Sequence, residues 1–116
     1  MKSVRIYHNP RCSKSRQTLA LLESGGVEPE IVEYLKQAPE FDELDNILKM
    51  LGIEPRELMR RHEKPYQDNN LDDAALSRED LINAMIANPV LIERPIVIEG
   101  GRAIIGRPPE KVLELI

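Results

Sequence analysis

Apolar residues recur along the chain with two different spacings, which predict its helices and strands. Loose alternation over residues 3–7 predicts a first strand. A helical pattern over residues 13–24, stopped by Gly25-Gly26, predicts a helix. A second strand is predicted by four β-favouring residues, Ile31, Val32, Tyr34 and Leu35. This order predicts a right-handed βαβ unit with parallel strands.

The middle of the chain has a helical pattern. One buried helix face is indicated by apolar residues at i, i+3, i+4 and i+7, namely Leu44, Ile47, Leu48 and Leu51. Gly52 ends this helix, and Pro55 begins a short one that runs to about Arg61. Residues 63–76 are polar and predict a loop. Ser77 followed by Asp80 predicts a capping box that opens another helix, which ends near residues 88–89.

The period of the pattern changes again near the end of the chain. Residues 96–98 predict a short buried strand, Gly100-Gly101 a hairpin turn, and residues 103–105 the returning strand. Pro108-Pro109 opens a last helix. The order β-α-β, helical block, β-β-α is typical of a thioredoxin-like α/β fold with a helical insertion at about residues 40–90. We expect the whole chain to form one domain.

Composition narrows the class of protein. The 116 residues suit a single domain, and the one cysteine excludes a disulfide within the chain, which suits a reducing compartment. The formal charge of −4 and the few aromatic residues argue against nucleic-acid binding. The chain shows no signal-peptide core, no membrane-spanning apolar run and no metal-ligand spacing. We therefore expect a cytoplasmic monomer without a bound cofactor or metal.

The only cysteine, Cys12, falls between the first predicted strand and the first predicted helix. At a helix start it faces unpaired backbone N–H groups and the positive end of the helix dipole, which favour the thiolate. Five cations lie in the first sixteen residues, before the first acidic residue Glu23: Lys2, Arg5, Arg11, Lys14 and Arg16. Because a lone cysteine is more often a small buried apolar residue, structural and catalytic interpretations both stay open.

Three arginines are further candidates for a site. Arg94 and Arg107 each precede a proline next to a predicted strand, and Arg60 lies near the end of the short predicted helix. In a thioredoxin-like fold the loop before the third strand faces the cysteine turn, so Arg94 could reach Cys12, with Arg107 at the edge of the same site. The guanidinium fork suits a tetrahedral oxyanion. The alternative is that each arginine is an exposed charge at the end of an element.

Two neighbours of these candidates have weaker signals. His8 ends the first predicted strand, where it could tune the thiol or serve only in packing. A cis bond before Pro95 is not supported by the residues alone, because only about 5–6% of X-Pro bonds in folded proteins are cis.

Three motifs in this order resemble the ArsC family of glutathione- and glutaredoxin-dependent arsenate reductases, whose superfamily includes the regulator Spx. The motifs are Tyr7-His8-Asn9-Pro10-x-Cys12, Glu93-Arg94-Pro95-Ile96-Val97 and Gly106-Arg107-Pro108. The resemblance implies that Cys12 is the nucleophile and that Arg60, Arg94 and Arg107 hold the oxyanion and stabilise the thiolate. It also implies that His8 and Ser15 assist the cysteine and that Pro95 is the cis-proline of the fold.

The resemblance further implies a reaction. Cys12 attacks arsenate, glutathione attacks the adduct as the external thiol and reduces the arsenic, and glutaredoxin clears the mixed disulfide. An external thiol is also required by chemistry, because a chain with one cysteine cannot form its own resolving disulfide. One departure concerns the substrate: Ser13-Lys14-Ser15 replaces the Gly-Thr-Ser of well-studied arsenate reductases.

Two alternative functions remain. The Cys12-to-Ser15 spacing permits a monothiol thiol-disulfide oxidoreductase acting on glutathionylated proteins, although such a substrate does not need three arginines. A regulator that binds RNA polymerase, as Spx does, is the second alternative. Spx-type proteins typically carry a Cys-x-x-Cys switch, and Ser15 removes the second cysteine.

Overall fold

The computed structural model describes residues 3–116, and Lys2, one of the five N-terminal cations, lies outside the described residues. Two compact units are present. The first comprises residues up to Gln37 together with Arg94–Ile116, and the second is Ala38–Glu93. The predicted insertion at residues 40–90 falls within the second unit. That the chain forms a single domain stays a prediction.

A four-stranded sheet organises the first unit. Its strands are β1 (Val4–Tyr7), β2 (Glu30–Val32), β3 (Ile96–Glu99) and β4 (Arg102–Ile105), in the spatial order β2-β1-β3-β4. β1 pairs with β2 in parallel, whereas β3 pairs antiparallel with both β1 and β4. The helix α1 (Ser13–Ser24) connects β1 to β2. The predicted parallel β-α-β unit and the C-terminal hairpin are both confirmed.

The core of this unit lies between the sheet and two helical segments. On β1, Val4 and Ile6 are buried whereas Arg5 between them is exposed, as strand alternation requires. α1 packs against the C-terminal helix Pro109–Leu115, which has 3₁₀ rather than α geometry. The buried core cluster comprises residues from the sheet and from both helices: Val4, Ile6, Leu22, Val97, Val112 and Leu115.

The predicted second strand is shorter than expected. β2 ends at Val32, and Tyr34 and Leu35 lie outside it. The amides of Lys36 and Gln37 both donate to the carbonyl of Glu33, which turns the chain. Tyr34 is only 1% exposed, so its apolar ring marks burial in a turn rather than strand pairing.

The second unit is helical. α2 (Phe41–Leu51) buries the predicted face through Leu44, Ile47 and Leu48, while Leu51 is half-buried. Gly52 ends it in the left-handed conformation with φ 68°, as predicted from its position. A 3₁₀ helix follows over Pro55–Leu58.

The polar segment 63–76 was expected to be a loop, but it contains a short helix, α3 (Lys64–Asp68). Two apolar side chains of the segment, Tyr66 and Leu71, are buried. The Tyr66 hydroxyl donates a hydrogen bond of 2.6 Å to Asp72. A helix of five residues is too short to show a helical period, which explains why the pattern did not reveal it.

The last helix of the second unit, α4 (Arg78–Ala87), begins as its capping box predicts. The Ser77 hydroxyl accepts from the Asp80 amide at 3.1 Å, and the Asp80 carboxylate accepts from the Ser77 amide at 2.9 Å. α4 packs against α2 and both 3₁₀ helices of this unit, the second being Pro89–Leu91. Over residues 3–116 no helix is both long and apolar enough to cross a membrane.

Candidate active site

Cys12 is the N-cap residue of α1, as the sequence predicted. Its backbone is extended, with φ −95° and ψ 121°, and its carbonyl accepts the first helical hydrogen bond, from the Arg16 amide at 3.0 Å. The Cys12 side chain makes no capping hydrogen bond of the usual kind. The N–H groups of the first helical turn are therefore available to its sulfur.

Hydrogen bonds fix the turn that presents Cys12. The Asn9 carbonyl accepts from the Cys12 amide at 3.0 Å, and the Asn9 side-chain oxygen accepts from the Arg11 amide at 3.0 Å. The Arg16 guanidinium donates to the Pro10 carbonyl at 2.9 Å. Asn9 was not predicted to be a site residue, although an Asn-Pro pair is a known turn signal.

A buried pair of polar side chains, His8 and Ser15, lies beneath this turn. Nδ1 of His8 is 2.6 Å from the Ser15 hydroxyl, which also accepts from the Asn9 amide at 3.1 Å. Burial lowers the pKa of His8, and the charge of Arg16 acts in the same direction, while Glu33 opposes them. A hydrogen bond between the two side chains is possible with either His8 tautomer, and it links the residue after β1 to the first turn of α1.

The environment of the Cys12 sulfur favours the thiolate. The side chain is 8% exposed, and this burial by itself raises the pKa of Cys12. The backbone N–H of Ser15, the charge of Arg94, the backbone N–H of Lys14 and the charge of Arg107 all lower it. Together they outweigh burial, so that the pKa of Cys12 lies below its ordinary value.

Arg107 contacts the sulfur through its side chain. Its Nη2 donates to Sγ of Cys12 at 3.6 Å, and its Nε donates to the Arg94 carbonyl at 2.8 Å. The same arginine therefore contacts the thiol and the loop before β3. Two nitrogens of the Arg94 guanidinium, Nε and Nη1, are buried. Of the three arginines proposed from the sequence, Arg94 and Arg107 belong to the unit that contains Cys12.

Both arginine–proline bonds of the first unit are cis: Arg94–Pro95 and Arg107–Pro108. The cis bond at Pro95 agrees with what the resemblance implied. The cis bond at Pro108 was not expected, and nothing in the residues around it signals one, since the prior for any X-Pro bond is low.

Gly106, part of the Gly106-Arg107-Pro108 motif, lies next to the cis-proline Pro95. Its amide donates to the Pro95 carbonyl at 2.9 Å. A Cβ at this position would lie 2.6 Å from Oγ1 of Thr18 and 2.8 Å from Cγ of Pro95. Helix α1, the cis-proline turn and the end of β4 thus meet where a methyl group does not fit. A glycine directly before a candidate arginine was the signal for such a close approach.

Arg60, the third arginine, lies in the second unit, two residues beyond the 3₁₀ helix Pro55–Leu58. Its guanidinium is 3.5 Å from a Glu63 carboxylate oxygen, 4.0 Å from one of Glu93 and 3.2 Å from Nε2 of His62. Its amide donates to the Leu91 carbonyl at 2.7 Å. These contacts hold Arg60 within its own unit, and its role toward Cys12 stays a prediction.

The family comparison identifies the group of proteins to which this architecture belongs. The model of the ArsC family matches residues 7–115. The chain belongs to the ArsC family. This match includes the cysteine turn, the Arg94-Pro95 loop and the Gly106-Arg107-Pro108 turn.

Individual relatives align with nearly the whole chain. An arsenate reductase of Haemophilus influenzae is 52% identical over 98% of this chain and 99% of its own length. An uncharacterized protein of Escherichia coli K12, YfgD, is 57% identical over 99% of this chain and 98% of its own length. Among solved structures, an arsenate reductase from Vibrio cholerae superimposes with a TM-score of 0.96 at 51% identity, covering 99% of this chain and 98% of that one. The predicted thioredoxin-like α/β fold is thereby confirmed.

The ArsC site has a simple chemical character. It presents one thiol with a lowered pKa, two arginines that act on its sulfur, and a buried His8–Ser15 pair in the same turn. Within residues 3–116 no group of three or more His, Cys, Asp or Glu side chains is arranged to hold a metal ion. The arrangement is suited to a thiolate that attacks an anionic electrophile, because the arginines stabilise both the attacking and the attacked anion.

Proposed function

We propose that this ArsC protein is an arsenate reductase that uses Cys12 as its nucleophile and glutathione as an external thiol. The observation that carries this proposal is the cysteine–arginine contact: Sγ of Cys12 lies 3.6 Å from Nη2 of Arg107, and the pKa of the thiol is lowered. The relatives that are named arsenate reductases and align over nearly the whole chain support the choice of arsenate.

In the first step the thiolate displaces an oxygen of arsenate. The Cys12 sulfur attacks arsenic, an S–As bond forms, an As–O bond breaks, and the departing oxygen leaves as water after taking up protons. Arsenic remains As(V) in this adduct. Arg94 and Arg107 lower the barrier by holding the oxygens that carry the negative charge, and donors aimed at such charge are worth about 10²–10³-fold in rate. Arg60 is proposed as a third oxyanion ligand on the basis of the family resemblance.

In the second step glutathione reduces the adduct. Its sulfur attacks the Cys12 sulfur, a disulfide forms, and the S–As bond breaks with its electron pair passing to arsenic. As(V) becomes As(III), and the proton from the glutathione thiol completes arsenous acid. The product on the protein is a mixed disulfide between Cys12 and glutathione. An external thiol is needed because Cys12 is the only cysteine.

In the third step glutaredoxin restores the protein. A glutaredoxin thiolate attacks the glutathione sulfur of the mixed disulfide, and the Cys12 thiolate leaves. The Cys12 environment favours this step, since a thiol with a lowered pKa is a better leaving group. The reducing cytoplasm is the compartment that suits this cycle, and the protein is proposed to act there as a monomer.

Arsenate-dependent oxidation of NADPH tests this function. The assay supplies glutathione, glutathione reductase and glutaredoxin, and compares the wild type with Cys12→Ser. We expect turnover that requires arsenate, Cys12 and glutaredoxin. Turnover by Cys12→Ser at the wild-type rate would contradict the scheme. Absence of turnover by a wild type whose thiol still titrates with a low pKa would mean that the site acts on another substrate.

A glutathionylated peptide offered in place of arsenate separates this proposal from the thiol-disulfide oxidoreductase alternative. We expect slow release of glutathione from the peptide compared with arsenate reduction, because Arg94 and Arg107 are arranged for an anion and not for a disulfide. The alternative gains support if the peptide is turned over faster than arsenate.

A further inference from the structure

Two exposed cations lie close to Cys12 in the sequence. Arg11 and Lys14 have exposed side chains, and neither makes a side-chain hydrogen bond or ion pair with residues 3–116. Other cations of the same region are engaged: Arg5 pairs with Glu30 at 2.8 Å, and Arg16 donates to the Pro10 carbonyl. Arg11 and Lys14 thus remain available to a ligand.

Lys14 also lies where helix electrostatics do not favour it. It is the second residue of α1, next to the positive end of the helix dipole, and the first turn of α1 contains no acidic residue. Neither the stability of α1 nor a neighbouring carboxylate therefore explains this lysine. Its backbone N–H is one of the groups that lower the pKa of Cys12, so the Lys14 backbone adjoins the sulfur.

In the proposed reaction the oxyanion is held by Arg94 and Arg107, which are less exposed than Arg11 and Lys14. Arg107 contacts the sulfur directly and the charge of Arg94 acts on it, whereas Arg11 and Lys14 are exposed. The reductant must approach the same sulfur from outside. Glutathione carries two carboxylates and one ammonium group, so it is a net anion away from its own sulfur.

We propose that Arg11 and Lys14 form a basic rim that binds the carboxylates of glutathione as its sulfur approaches Cys12. The inference rests on the proposed function for the identity of the thiol. It predicts that the rim discriminates between thiols by charge, independently of the arginines that hold the oxyanion.

The first test measures thiol–disulfide exchange at Cys12 without arsenate. The Cys12 thiolate attacks one sulfur of an added disulfide, a mixed disulfide forms on the protein, and the other half leaves as a thiolate. The rate is followed by mass for three probes: anionic oxidised glutathione, neutral bis(2-hydroxyethyl) disulfide and cationic cystamine. The variants are Arg11→Gln, Lys14→Gln and, as a matched control, Lys111→Gln, which removes an exposed lysine from the C-terminal 3₁₀ helix.

We expect Lys14→Gln and Arg11→Gln each to slow exchange with oxidised glutathione about two- to fivefold, the range of an exposed ion pair. The neutral probe should react at the wild-type rate and cystamine at that rate or faster. The differences should shrink as salt is added. Equal slowing of all three probes would overturn the rim, since it would indicate a change in the thiol itself. An equal effect of Lys111→Gln would overturn it too.

The second test uses turnover and keeps the two proposals distinct. In the coupled assay Lys14→Gln should raise the apparent KM for glutathione by a similar factor and leave the KM for arsenate within about twofold of the wild type. A change confined to the KM for arsenate, or to the dependence on glutaredoxin, would overturn the assignment of the rim to glutathione. If no arsenate is reduced while the charge effect on exchange persists, the proposed function fails and the rim stands.

Discussion

The unpaired backbone N–H groups at two helix N-termini of this chain have different partners. At the start of α4, Ser77 and Asp80 exchange hydrogen bonds with each other's amides, and Glu79 and Asp80 face the helix dipole. At the start of α1, Cys12 makes no such bond and the first turn contains no acidic residue. The N–H groups of Lys14 and Ser15 act on the sulfur instead.

The α4 N-terminus has a cap that stabilises the helix, whereas the α1 N-terminus lowers the pKa of a thiol. A side-chain cap contributes about 0.5–2 kcal/mol to a helix, and α4 has this contribution. At α1 the N–H groups of the first turn lower the pKa of Cys12 instead. Thr18 and Leu22 of this helix are buried, and the His8–Ser15 contact links its first turn to the residue after β1. We infer that changes at the two N-termini will affect different measured quantities. The predictions below test this, beginning with the largest effect.

Replacing Cys12 by Ala, Ser or Asp should abolish arsenate turnover in all three variants, because none provides a thiolate. The free energy of unfolding should nevertheless rise by about 1 kcal/mol from Ala to Ser or Asp, since both can cap α1 as Ser77 caps α4. Urea unfolding of the three variants measures this order. An Ala variant as stable as the Ser and Asp variants would show that the α1 N–H groups do not accept a cap.

Arg94→Ala should lower kcat/KM for arsenate about 10²-fold, the usual effect of losing a donor to a developing anion. It should also raise the pKa of Cys12, because the Arg94 charge favours the thiolate. Thiolate absorbance as a function of pH measures the second effect. Arg5→Ala, which removes an exposed arginine of β1, is the matched control. An unchanged Cys12 pKa in Arg94→Ala would remove Arg94 from the site.

Ser77→Ala should lower the free energy of unfolding by about 1 kcal/mol through loss of the α4 cap. It should leave both the thiolate titration and arsenate turnover at wild-type values, since this N-terminus carries no reacting group. Urea unfolding and the coupled assay, done on the same preparation, check both statements. A shifted thiolate titration would mean that the two N-termini are not independent.

The smallest expected effect is on the pH dependence of stability, and it concerns His8. Burial lowers the pKa of His8 in the folded protein, so between that pKa and the ordinary value of about 6.5 the unfolded chain binds more protons than the folded one. Stability should therefore fall as the pH is lowered from about 6.5. Urea unfolding over this range should give a shallower decline for His8→Gln than for the wild type. His62→Gln controls for the loss of an exposed imidazole, and a slope for His8→Gln equal to the wild type would contradict the prediction.

Elements with a strong local signal could be predicted from the sequence. α2 has four apolar residues at helical spacing, α4 has its capping box, and Cys12 follows a strand and precedes a helix; each was confirmed. The predictions that were wrong depended on burial that the pattern did not distinguish. Tyr34 has a high strand propensity but is buried in a turn, and α3 is one short helix inside a polar segment.

For the candidate site, the sequence predicted which residues are involved but not the contacts between them. The motifs pointed to Cys12, Arg94 and Arg107, which the structure brings into one unit. The Arg107–Arg94 carbonyl bond, the Asn9 turn and the second cis bond depend on exact side-chain and backbone positions. No spacing along a chain specifies such positions, because they result from the packing of segments that are distant in sequence.

The close approach at Gly106 connects the packing of α1 on the sheet with the pKa of Cys12. A side chain at position 106 would meet Thr18 of α1 and Pro95. If α1 were displaced, Cys12 would move with it as its N-cap residue, away from the charges of Arg94 and Arg107 that lower its pKa. The pKa of Cys12 therefore depends on how closely α1 lies to the segments that carry Arg94 and Arg107. A substitution at Gly106 is therefore expected to change the titration of a sulfur that it does not touch, as well as the packing of α1 on the sheet.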